Sequence, residues 1–367
     1  MTLSLTTAGE SHGPALVAIL TGLPAGLVLE KEAIDADLRR RQKGYGRSPR
    51  QRIEHDEVEV LAGLRHGRTL GTPLALLVRN RDHANWRAGM SPWPVEGEPA
   101  GKGTKPVTLP RPGHADLAGW LKFGLTDTRD VLERASARQT AVHVAAGAVA
   151  KALLRAIEVT VEAGVEEIGG ATTEDTEAVV DAARADRDTL GGVVEVAARG
   201  VPPGLGSYAT KDDRLDARLA AALMGIQAVK GVEIGAGFEL ARLRGSDAHD
   251  EIHRDERGLH RKTNRAGGIE GGVSNGEPIV VRAAMKPLPT LMRPLASVDL
   301  ETGEPAQALV ERSDTAAVEA LAVVAEAAVA WELARAAREK FGGDALGDLV
   351  GAWRAYLERI DWQPRMH

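Results

Sequence analysis

Cysteine is absent from all 367 residues of the sequence, and aromatic residues make up only 3% of it. Without cysteine the chain cannot form disulfides, thiolate nucleophiles or zinc–thiolate sites. This fits a reducing compartment, and we expect a cytoplasmic protein. Aromatic residues this scarce are too few for the stacking platforms that hold single-stranded nucleic acid. No apolar run reaches about 18 residues, and the N-terminal residues carry no basic segment followed by a long apolar run, so we expect neither a membrane span nor a signal peptide.

The rest of the composition is typical of a globular protein. Hydrophobic residues make up 43% and charged residues 27%, and 46 Lys and Arg against 52 Asp and Glu give a formal net charge of −6. The length corresponds to about two average domains or one large one. A chain of this size can bury about three quarters of the surface that it exposes when unfolded, so it needs no disulfide or metal to fold.

Positive charge is concentrated in residues 39–52, RRRQKGYGRSPRQR, which contain seven basic residues and no acid. A solvated basic face is the ordinary interpretation of such a run. The run also begins on a helix-like stretch and ends in a glycine-rich turn, which favours a clamp for anions. It is too short for a nucleic-acid groove, so we expect no nucleic acid partner. With no acid in the run, we expect self-repulsion that only a bound anion relieves.

Four short segments of the first half recur in the second half in the same order. They are GLPAGL at 22–27 and GVPPGL at 200–205, IDADL at 34–38 and LDARL at 215–219, GTPLALLV at 71–78 and GEPIVVRA at 276–283, and ERAS at 133–136 and ERSD at 311–314. Because the order is kept, we predict an ancient duplication, with halves at about 1–160 and 190–341 inside one domain, 1–367. Coincidence among common Gly-Pro turns and alanine-rich helices is the alternative.

The apolar pattern predicts a mixed secondary structure. Predicted strands cover 15–20, 26–30, 56–61, 74–79, 193–199 and 278–285, and predicted helices cover 31–41, 133–157 and 315–341, with a short helical excursion within 171–190. The long helices stand at matching places in the two halves. We therefore predict a layered α/β or α+β sandwich with pseudo-twofold symmetry.

Two histidines stand in contexts that favour chemistry. His12 follows Ser11 and is flanked by glycines, which let backbone approach a ligand closely. His114 stands three residues after Arg111, which could hold an anion while the imidazole moves a proton. An isolated histidine is more often structural than catalytic, and the sequence contains neither a nucleophile elbow nor a P-loop. The flanking residues nevertheless favour a functional interpretation of both.

Residues 264–276 contain five glycines, which indicate either a flexible loop or a backbone cradle for a flat or phosphorylated ligand. Lys286, Arg312 and Asp314 follow and supply two cations and a carboxylate.

His249 and His253 have the spacing of two zinc ligands on a helix. No third ligand follows, so we expect no metal site.

Together these motifs resemble one family, the chorismate synthases, over nearly the whole chain. The motifs are GESHG (9–13), RRRQKGYGRS (39–48), HGRTLGTPLALLVRNRD (66–82), RPGHAD (111–116), ERASARQTA (133–141), GVPPGLG (200–206), AVKGVEIGAGF (228–238), TNRAGGIEGGVSNGEPI (263–279) and KPLPT (286–290). The family converts 5-enolpyruvylshikimate 3-phosphate to chorismate and phosphate by a 1,4-anti elimination that requires reduced FMN. The resemblance implies a lyase of the shikimate pathway. It also implies a homotetramer of an α+β fold, a β-α-β layered sandwich with internal pseudo-twofold duplication.

The resemblance also implies roles for individual residues. His12 would protonate the departing phosphate, with Ser11 beside it in a proton relay. His114 would protonate or balance the reduced flavin, and Asp314 would work with flavin N5 in removing the C6 proton. The anionic substrate would be clamped by Arg41, Arg47 and Arg111, the first two of which match positions assigned to NADP. The residues implied to line FMN are Arg134, Ala135, Ser136, Gln227, Ala228, Gly271, Lys286, Pro287, Leu288, Pro289, Thr290 and Arg312.

The sequence departs from the family pattern at two places. The family often has RHDP where this chain has Arg312-Ser313-Asp314-Thr315, and it usually has ERASARET where this chain has Gln139. Neither departure removes a residue assigned to chemistry, but the first affects the surroundings of Asp314.

The chemistry agrees with the residues. The substrate carries two carboxylates and a phosphate, which arginines bind well. Its C6 hydrogen is not acidic, so a base alone would not remove it. Reduced flavin can donate electron density to the substrate as phosphate leaves and take it back as the hydrogen leaves. The chain has no long insertion of the kind expected of a bifunctional enzyme. We therefore expect NADPH to act as the ultimate reductant through a separate flavin reductase.

Two other functions stay open at this point. A non-catalytic module that binds anions or RNA through residues 39–52 would show no FMN binding and a steep salt dependence for nucleic acid. A flavin oxidoreductase would consume NADPH with net turnover.

Overall fold

The computed structural model describes residues 2–47, 55–97, 100–172, 174–256, 258–311 and 313–363. In this part of the chain, two four-stranded antiparallel sheets enclose a layer of helices.

The first half supplies one sheet and the helices that follow its strands. In chain order its elements are β1 (Ser4–Ala8), β2 (Ala15–Thr21), α1 (Lys31–Gln42), β3 (Val58–Ala62), β4 (Leu64–Arg65), β5 (Arg68–Thr69), β6 (Leu74–Arg79), α2 (Asp116–Phe123), α3 (Arg129–Ala135) and α4 (Thr140–Arg155).

The second half supplies the other sheet and the longest helix. Its elements are β7 (Thr160–Ile168), α5 (Thr176–Ala185), β8 (Gly192–Arg199), α6 (Leu215–Met224), β9 (Val229–Ile234), α7 (Gly245–Ala248), β10 (Ile252–Asp255), β11 (Gly258–Arg261), β12 (Ile269–Glu270), β13 (Val273–Ser274), β14 (Ile279–Met285), β15 (Ala296–Val298), β16 (Pro305–Gln307), α8 (Val318–Phe341) and α9 (Leu346–Ile360).

The two sheets have the same connectivity. Their strand orders are β1-β2-β6-β3 and β7-β8-β14-β9, so in each sheet the fourth strand in sequence lies between the second and the third. One helix links the second strand to the third in each half, α1 or α6, and a central helix, α4 or α8, follows the fourth strand. The α+β, β-α-β sandwich with internal pseudo-twofold duplication is therefore confirmed. The second sheet begins at Thr160, before the predicted half at 190–341.

Alternation along the strands explains which face each sheet turns inward. In the first sheet the buried pairs are Leu16 with Val78, Ala18 with Leu76 and Leu20 with Leu74, and in the second they are Val194 with Ala283, Val196 with Val281 and Ala198 with Ile279. Each set occupies every second position of its strand, so one face of each sheet covers the helices.

The central helices α4 and α8 pack closely because their facing residues are small. A side chain added at Gly147 would place its Cβ 2.3 Å from Cβ of Ala327 and 2.5 Å from its Cα. Only glycine leaves room for a crossing this close. The crossing fixes how the two halves meet, and the candidate site lies at one end of these helices.

Most predicted elements are present, but two predictions were wrong in detail. The predicted strand at 26–30 is extended backbone that makes only an isolated bridge, between Val28 and Arg68. The predicted helix at 133–157 is interrupted at Ser136, which adopts an extended conformation, and its hydroxyl accepts a hydrogen bond from the N–H of Arg138. A serine in this capping role ends one helix and begins the next turn.

His249 and His253 do not share a helix, because His249 ends α7 and His253 lies on β10. Within the described ranges, no group of three or more His, Asp or Glu side chains could hold a metal ion. Of the helices in these ranges, none combines the length and apolar character needed to cross a bilayer.

Candidate active site

A cavity of about 520 Å³ lies where the segments that precede α4 and α8 approach each other. These segments, 80–139 and 286–317, occupy equivalent places in the two halves. Thr140 at the start of α4 and Leu321 in the first turn of α8 both line the cavity. Because helix N-termini favour anions, the start of α4 and the start of α8 should both stabilise a negatively charged ligand in this cavity.

The cavity collects most of the residues implied by the resemblance. The predicted residues that line it are Ser11, His12, Arg41, Arg47, Arg111, His114, Ala135, Ser136, Gln227, Ala228, Lys286, Leu288, Pro289, Thr290 and Asp314. Residues from seven separate stretches of the chain therefore converge on one cavity.

His12 is held on one side by a carboxylate and on another by an aromatic ring. Its Nδ1 lies 2.8 Å from Oε1 of Glu133, and its backbone N–H donates to Oε2 of Glu133 at 2.7 Å. Its ring stacks on Trp86, with the centroids 3.9 Å apart. Because Nδ1 is engaged by Glu133, Nε2 is the ring nitrogen left to act on a ligand.

The hydroxyls of Ser11 and Ser136 lie side by side beside His12. The oxygen of Ser136 lies 3.2 Å from that of Ser11, and the Ser11 backbone N–H donates to the Glu133 carbonyl at 3.0 Å. The break in the helix at Ser136 thus brings a second hydroxyl to the predicted proton relay.

His114 belongs to a network with Arg111 and Asp116. Arg111 donates to both carboxylate oxygens of Asp116, at 2.8 and 3.1 Å, and to the hydroxyl of Thr290 at 2.8 Å. Nδ1 of His114 contacts the same carboxylate. Burial favours the neutral acid at Asp116, but hydrogen bonds from His114 and Arg111 prevail and hold its pKa well below the ordinary value. The carboxylate stays ionised and fixes His114 through Nδ1.

Arg41 and Arg138 share a buried carboxylate. Asp56 accepts from Arg138 at 2.7 Å and from Arg41 at 3.3 Å, and Arg41 also donates to the hydroxyl of Thr140 at 2.8 Å. Both arginines line the cavity, and guanidinium groups bind anionic ligands well.

Arg47 pairs with Asp314 in the wall of the cavity, with Nη1 and Oδ2 3.1 Å apart. Nε of Arg47 is buried and has no hydrogen-bond partner in the described part of the chain. An unpaired buried donor on a cation is a position that an anion would satisfy.

The remaining wall combines a lysine with a strained backbone. Nζ of Lys286 donates to the Gly113 carbonyl at 2.5 Å, and burial, with the nearby Lys230, lowers the pKa of Lys286. Ala228 accepts a hydrogen bond from the Lys286 backbone N–H and has φ of 70°, a conformation that costs a non-glycine residue about 1–2 kcal/mol. Strain of this kind is characteristic of ligand-binding sites.

Three implied flavin residues do not line the cavity of their own chain. Arg134 turns away to donate to the carbonyls of Thr7 and Gly9. Pro287 is exposed, and Gly271 lies in the turn between β12 and β13. The prediction for Arg312 falls outside the described residues.

The two residues that depart from the family pattern, Gln139 and Ser313, both make hydrogen bonds near the cavity. Gln139 donates to the Gly9 carbonyl at 2.5 Å, which a glutamate carboxylate could not do. Ser313 lines the cavity beside Asp314, and its hydroxyl donates to the Asp314 carbonyl at 3.3 Å.

The expectation of unrelieved repulsion in the basic run was wrong. Arg40 pairs with Glu326, Arg41 with Asp56 and Arg47 with Asp314. Acids from other elements thus neutralise much of the run, which the sequence of the run alone could not reveal.

Sequence reasoning missed five residues that shape the site: Trp86, Asp56, Asp116, Glu133 and Arg138. Asp116, Glu133 and Arg138 stand within motifs that carry the resemblance, so their proximity to His114 and Ser136 was an available signal. Trp86 and Asp56 reach the site only through tertiary contacts.

Comparisons with known proteins agree with this geometry. The chorismate synthase family model matches residues 3–337. The chorismate synthases of Rubrobacter xylanophilus and Desulforudis audaxviator are each 54% identical to this chain, with 98% of this chain and 98% of each relative covered. A crystal structure of a chorismate synthase is 38% identical and superposes with a TM-score of 0.78, covering 98% of this chain and 99% of that one. The chain therefore belongs to the chorismate synthase family, the lyases of the last step of the shikimate pathway.

Proposed function

We propose that the cavity converts 5-enolpyruvylshikimate 3-phosphate to chorismate and phosphate. The observation that carries this proposal is the meeting of two carboxylate-bound histidines, His12 and His114, in one cavity lined by arginines and a lysine. In the reaction the C–O bond to phosphate and the C6–H bond both break, and the ring gains one double bond. Because an electron pair leaves with the phosphate and a proton leaves from C6, the net change is an elimination without oxidation.

The charges of the cavity match the substrate. Five cationic side chains line it, Arg41, Arg47, Arg111, Arg138 and Lys286, together with two carboxylates, Glu311 and Asp314, while Asp56 and Asp116 pair with three of the arginines. The substrate brings two carboxylates and a phosphate, which these cations and the helix N-termini can bind. The RNA-binding alternative is disfavoured because Arg41 and Arg47 face this cavity.

His12 is assigned to protonation of the departing phosphate. Its Nε2 is the nitrogen available to a ligand, and the hydroxyls of Ser11 and Ser136 can relay a proton to the ring. A general acid of this kind contributes about 10²–10⁴-fold to a rate.

Asp314 is assigned to the proton that leaves C6. It is a carboxylate on the cavity wall, and Arg47 holds it in place. His114, fixed by Asp116, is assigned to the proton or charge balance of the cofactor.

The cavity walls fit FMN. Leu132, Ile226 and Val324 supply an apolar surface for a flat ring, while Nε of Arg47 is a buried donor that an anionic group could satisfy. Ala135, Ser136, Gln227, Ala228, Thr290 and Lys286 would hold the group. When bound, reduced FMN supplies electron density to the substrate as phosphate departs and regains it as the hydrogen departs.

We also propose that the chain acts as a cytoplasmic homotetramer. Gly271 lies outside the cavity of its own chain, so its assignment to FMN requires a neighbouring copy. Analytical ultracentrifugation should give a mass four times that of the chain, and a monomer that is fully active would contradict the tetramer.

NADPH is proposed as the ultimate reductant through a separate flavin reductase. Under anaerobic conditions the purified chain should leave NADPH and oxidised FMN unreacted, and an added reductase should start turnover. NADPH oxidation by the chain alone would show that it reduces its own flavin.

Turnover tests the proposed reaction itself. Without oxygen, the chain should form chorismate from 5-enolpyruvylshikimate 3-phosphate with reduced FMN and form none with oxidised FMN. Failure to form chorismate with reduced FMN would overturn the proposal.

A further inference from the structure

Glu133 holds His12 at two points of the same residue. One carboxylate oxygen accepts the backbone N–H of His12 at 2.7 Å, and the other lies 2.8 Å from Nδ1. Glu133 is 2% exposed and stands 121 residues from His12 in the chain. The fold therefore places a buried carboxylate against one edge of the imidazole.

Trp86 fixes the plane of the same ring. It stacks on His12 with an interplanar angle of 21°. Nε1 of Trp86 donates to Asp82 at 2.9 Å, and Gly103 lies so close that an added Cβ would stand 2.7 Å from the indole. With its plane set by Trp86 and its edge set by Glu133, the His12 ring has one orientation.

A neutral imidazole carries one proton, and the hydrogen bond at one nitrogen decides which nitrogen carries it. A carboxylate only accepts hydrogen bonds, so Glu133 requires a proton on Nδ1. Nε2 is then the nitrogen that gains and loses a proton at the cavity.

We propose that Glu133 is the positioning residue of His12 and fixes its tautomer so that Nε2 exchanges the proton used in the reaction. The step that uses this proton rests on the proposed function, whereas the tautomer itself does not.

Glu133→Gln tests this proposal because the amide oxygen and the NH₂ group of glutamine cannot both face the same partner. If its oxygen keeps the hydrogen bond from the His12 backbone N–H, its NH₂ group faces Nδ1 and donates to it. The neutral ring must then carry its proton on Nε2. A neutral side chain of the same size thus reverses the tautomer, as a carboxylate-to-amide change does in catalytic triads.

The tautomer is read from the ¹⁵N chemical shifts of His12, assigned by their loss in His12→Asn. In the unliganded wild type, the neutral ring should have protonated Nδ1 and unprotonated Nε2. Glu133→Gln should reverse this pattern and lower turnover by about 10²–10⁴-fold. The matched control is Glu332→Gln, at another buried glutamate, on α8. Its partner Arg218 still pairs with Glu339 in this variant. The His12 signals should therefore be unchanged.

A wild-type ring protonated on Nε2, or an unchanged pattern in folded Glu133→Gln, would overturn the proposal. The wild-type spectrum alone decides the matter if the variant does not fold. A reversed tautomer with normal turnover would support Glu133 as the positioning residue and contradict the acid role of His12. The two failures are therefore distinguishable.

Discussion

His12 and His114 are held at the cavity in similar ways but are assigned to different ligands. Each is fixed through Nδ1 by a carboxylate, Glu133 or Asp116. Asp116 also accepts hydrogen bonds from Nε and Nη2 of Arg111, whereas the guanidinium of Arg129 lies 3.6 Å from Glu133. Asp116 therefore binds an arginine as well as its histidine, whereas the short hydrogen bonds of Glu133 are those with His12.

Replacing either histidine by alanine should lower turnover by about 10²–10⁴-fold. A substrate analogue whose leaving group departs without a proton no longer needs an acid. The His12→Ala defect should therefore shrink with that analogue, while the His114→Ala defect persists and the pH dependence of reduced-flavin binding changes. Steady-state rates with both substrates make the comparison, and equal His12→Ala defects would mean that His12 only positions the substrate.

Arg47→Ala should weaken substrate binding by roughly 1.5–3 kcal/mol, the range for hydrogen bonds to charged groups. Without ligand, the Arg47→Ala protein should lose less stability than the Arg41→Ala protein, which also loses the buried hydrogen bond from Arg41 to Thr140. The exposed Arg39 supplies the control, since Arg39→Ala should change neither quantity. Calorimetric binding and chemical unfolding measure both effects, and normal substrate affinity with a large loss of stability would refute the binding role of Arg47.

Asp116 predicts a specific pH dependence of stability. Its pKa in the folded protein lies below the ordinary value of about 4, so its contribution is fully present above about pH 4 and is lost as the pH falls below it. Asp116→Asn should cost roughly 3–5 kcal/mol at neutral pH, and the gap from wild type should narrow in acid. Thermal unfolding from pH 7 to pH 3 measures the gap; a constant gap would contradict the account. Asp181→Asn, at an exposed pair with Arg184, should show a small gap throughout.

At the residue scale, sequence motifs indicated the side chains that line the cavity, but they did not indicate the side chains that hold those residues in place. Ser11, His12, Arg111 and His114 stand in short motifs whose composition suggests chemistry. Glu133 lies 121 residues from His12, so no local pattern could connect the two.

At the scale of elements, the close crossing of α4 and α8 makes a prediction about glycine. Gly147→Ala should destabilise the protein by about 1–3 kcal/mol, because its Cβ would overlap Ala327. Gly351→Ala on α9 is the matched control, since nothing lies within 4 Å of its added Cβ. There the gain in helix propensity should stabilise the protein by up to about 1 kcal/mol. Chemical unfolding of both variants checks the opposite signs, and two changes of the same sign would show that the crossing is not constrained.

Elements with strong apolar periodicity were predicted well, and the others were not. β2, β6, β8 and β14 alternate clearly, and each was predicted within about two residues. β7 was missed because its sequence, TVEAGVEEI, combines a glycine with several glutamates, residues of low strand propensity. The break at Ser136 was hidden within an alanine-rich pattern, because the pattern records burial and not capping.

At the scale of the whole molecule, duplication explains the location of the cavity. The equivalent segments before α4 and α8 both line it, and the described lining residues include four arginines of the first half and Lys286 of the second. The repeated segments of the sequence predicted this duplication, but they could not predict how closely the halves approach. That distance depends on small side chains at the helix crossing.

An elimination leaves the flavin with no net oxidation, whereas an oxidoreductase would consume it. A single anaerobic turnover, with reduced FMN and substrate in equal amounts, separates the two reactions when chorismate, phosphate and the flavin spectrum are followed together. We expect one phosphate for each chorismate and a flavin that is still reduced at the end. One flavin oxidised for each product formed would contradict this expectation and indicate an oxidoreductase.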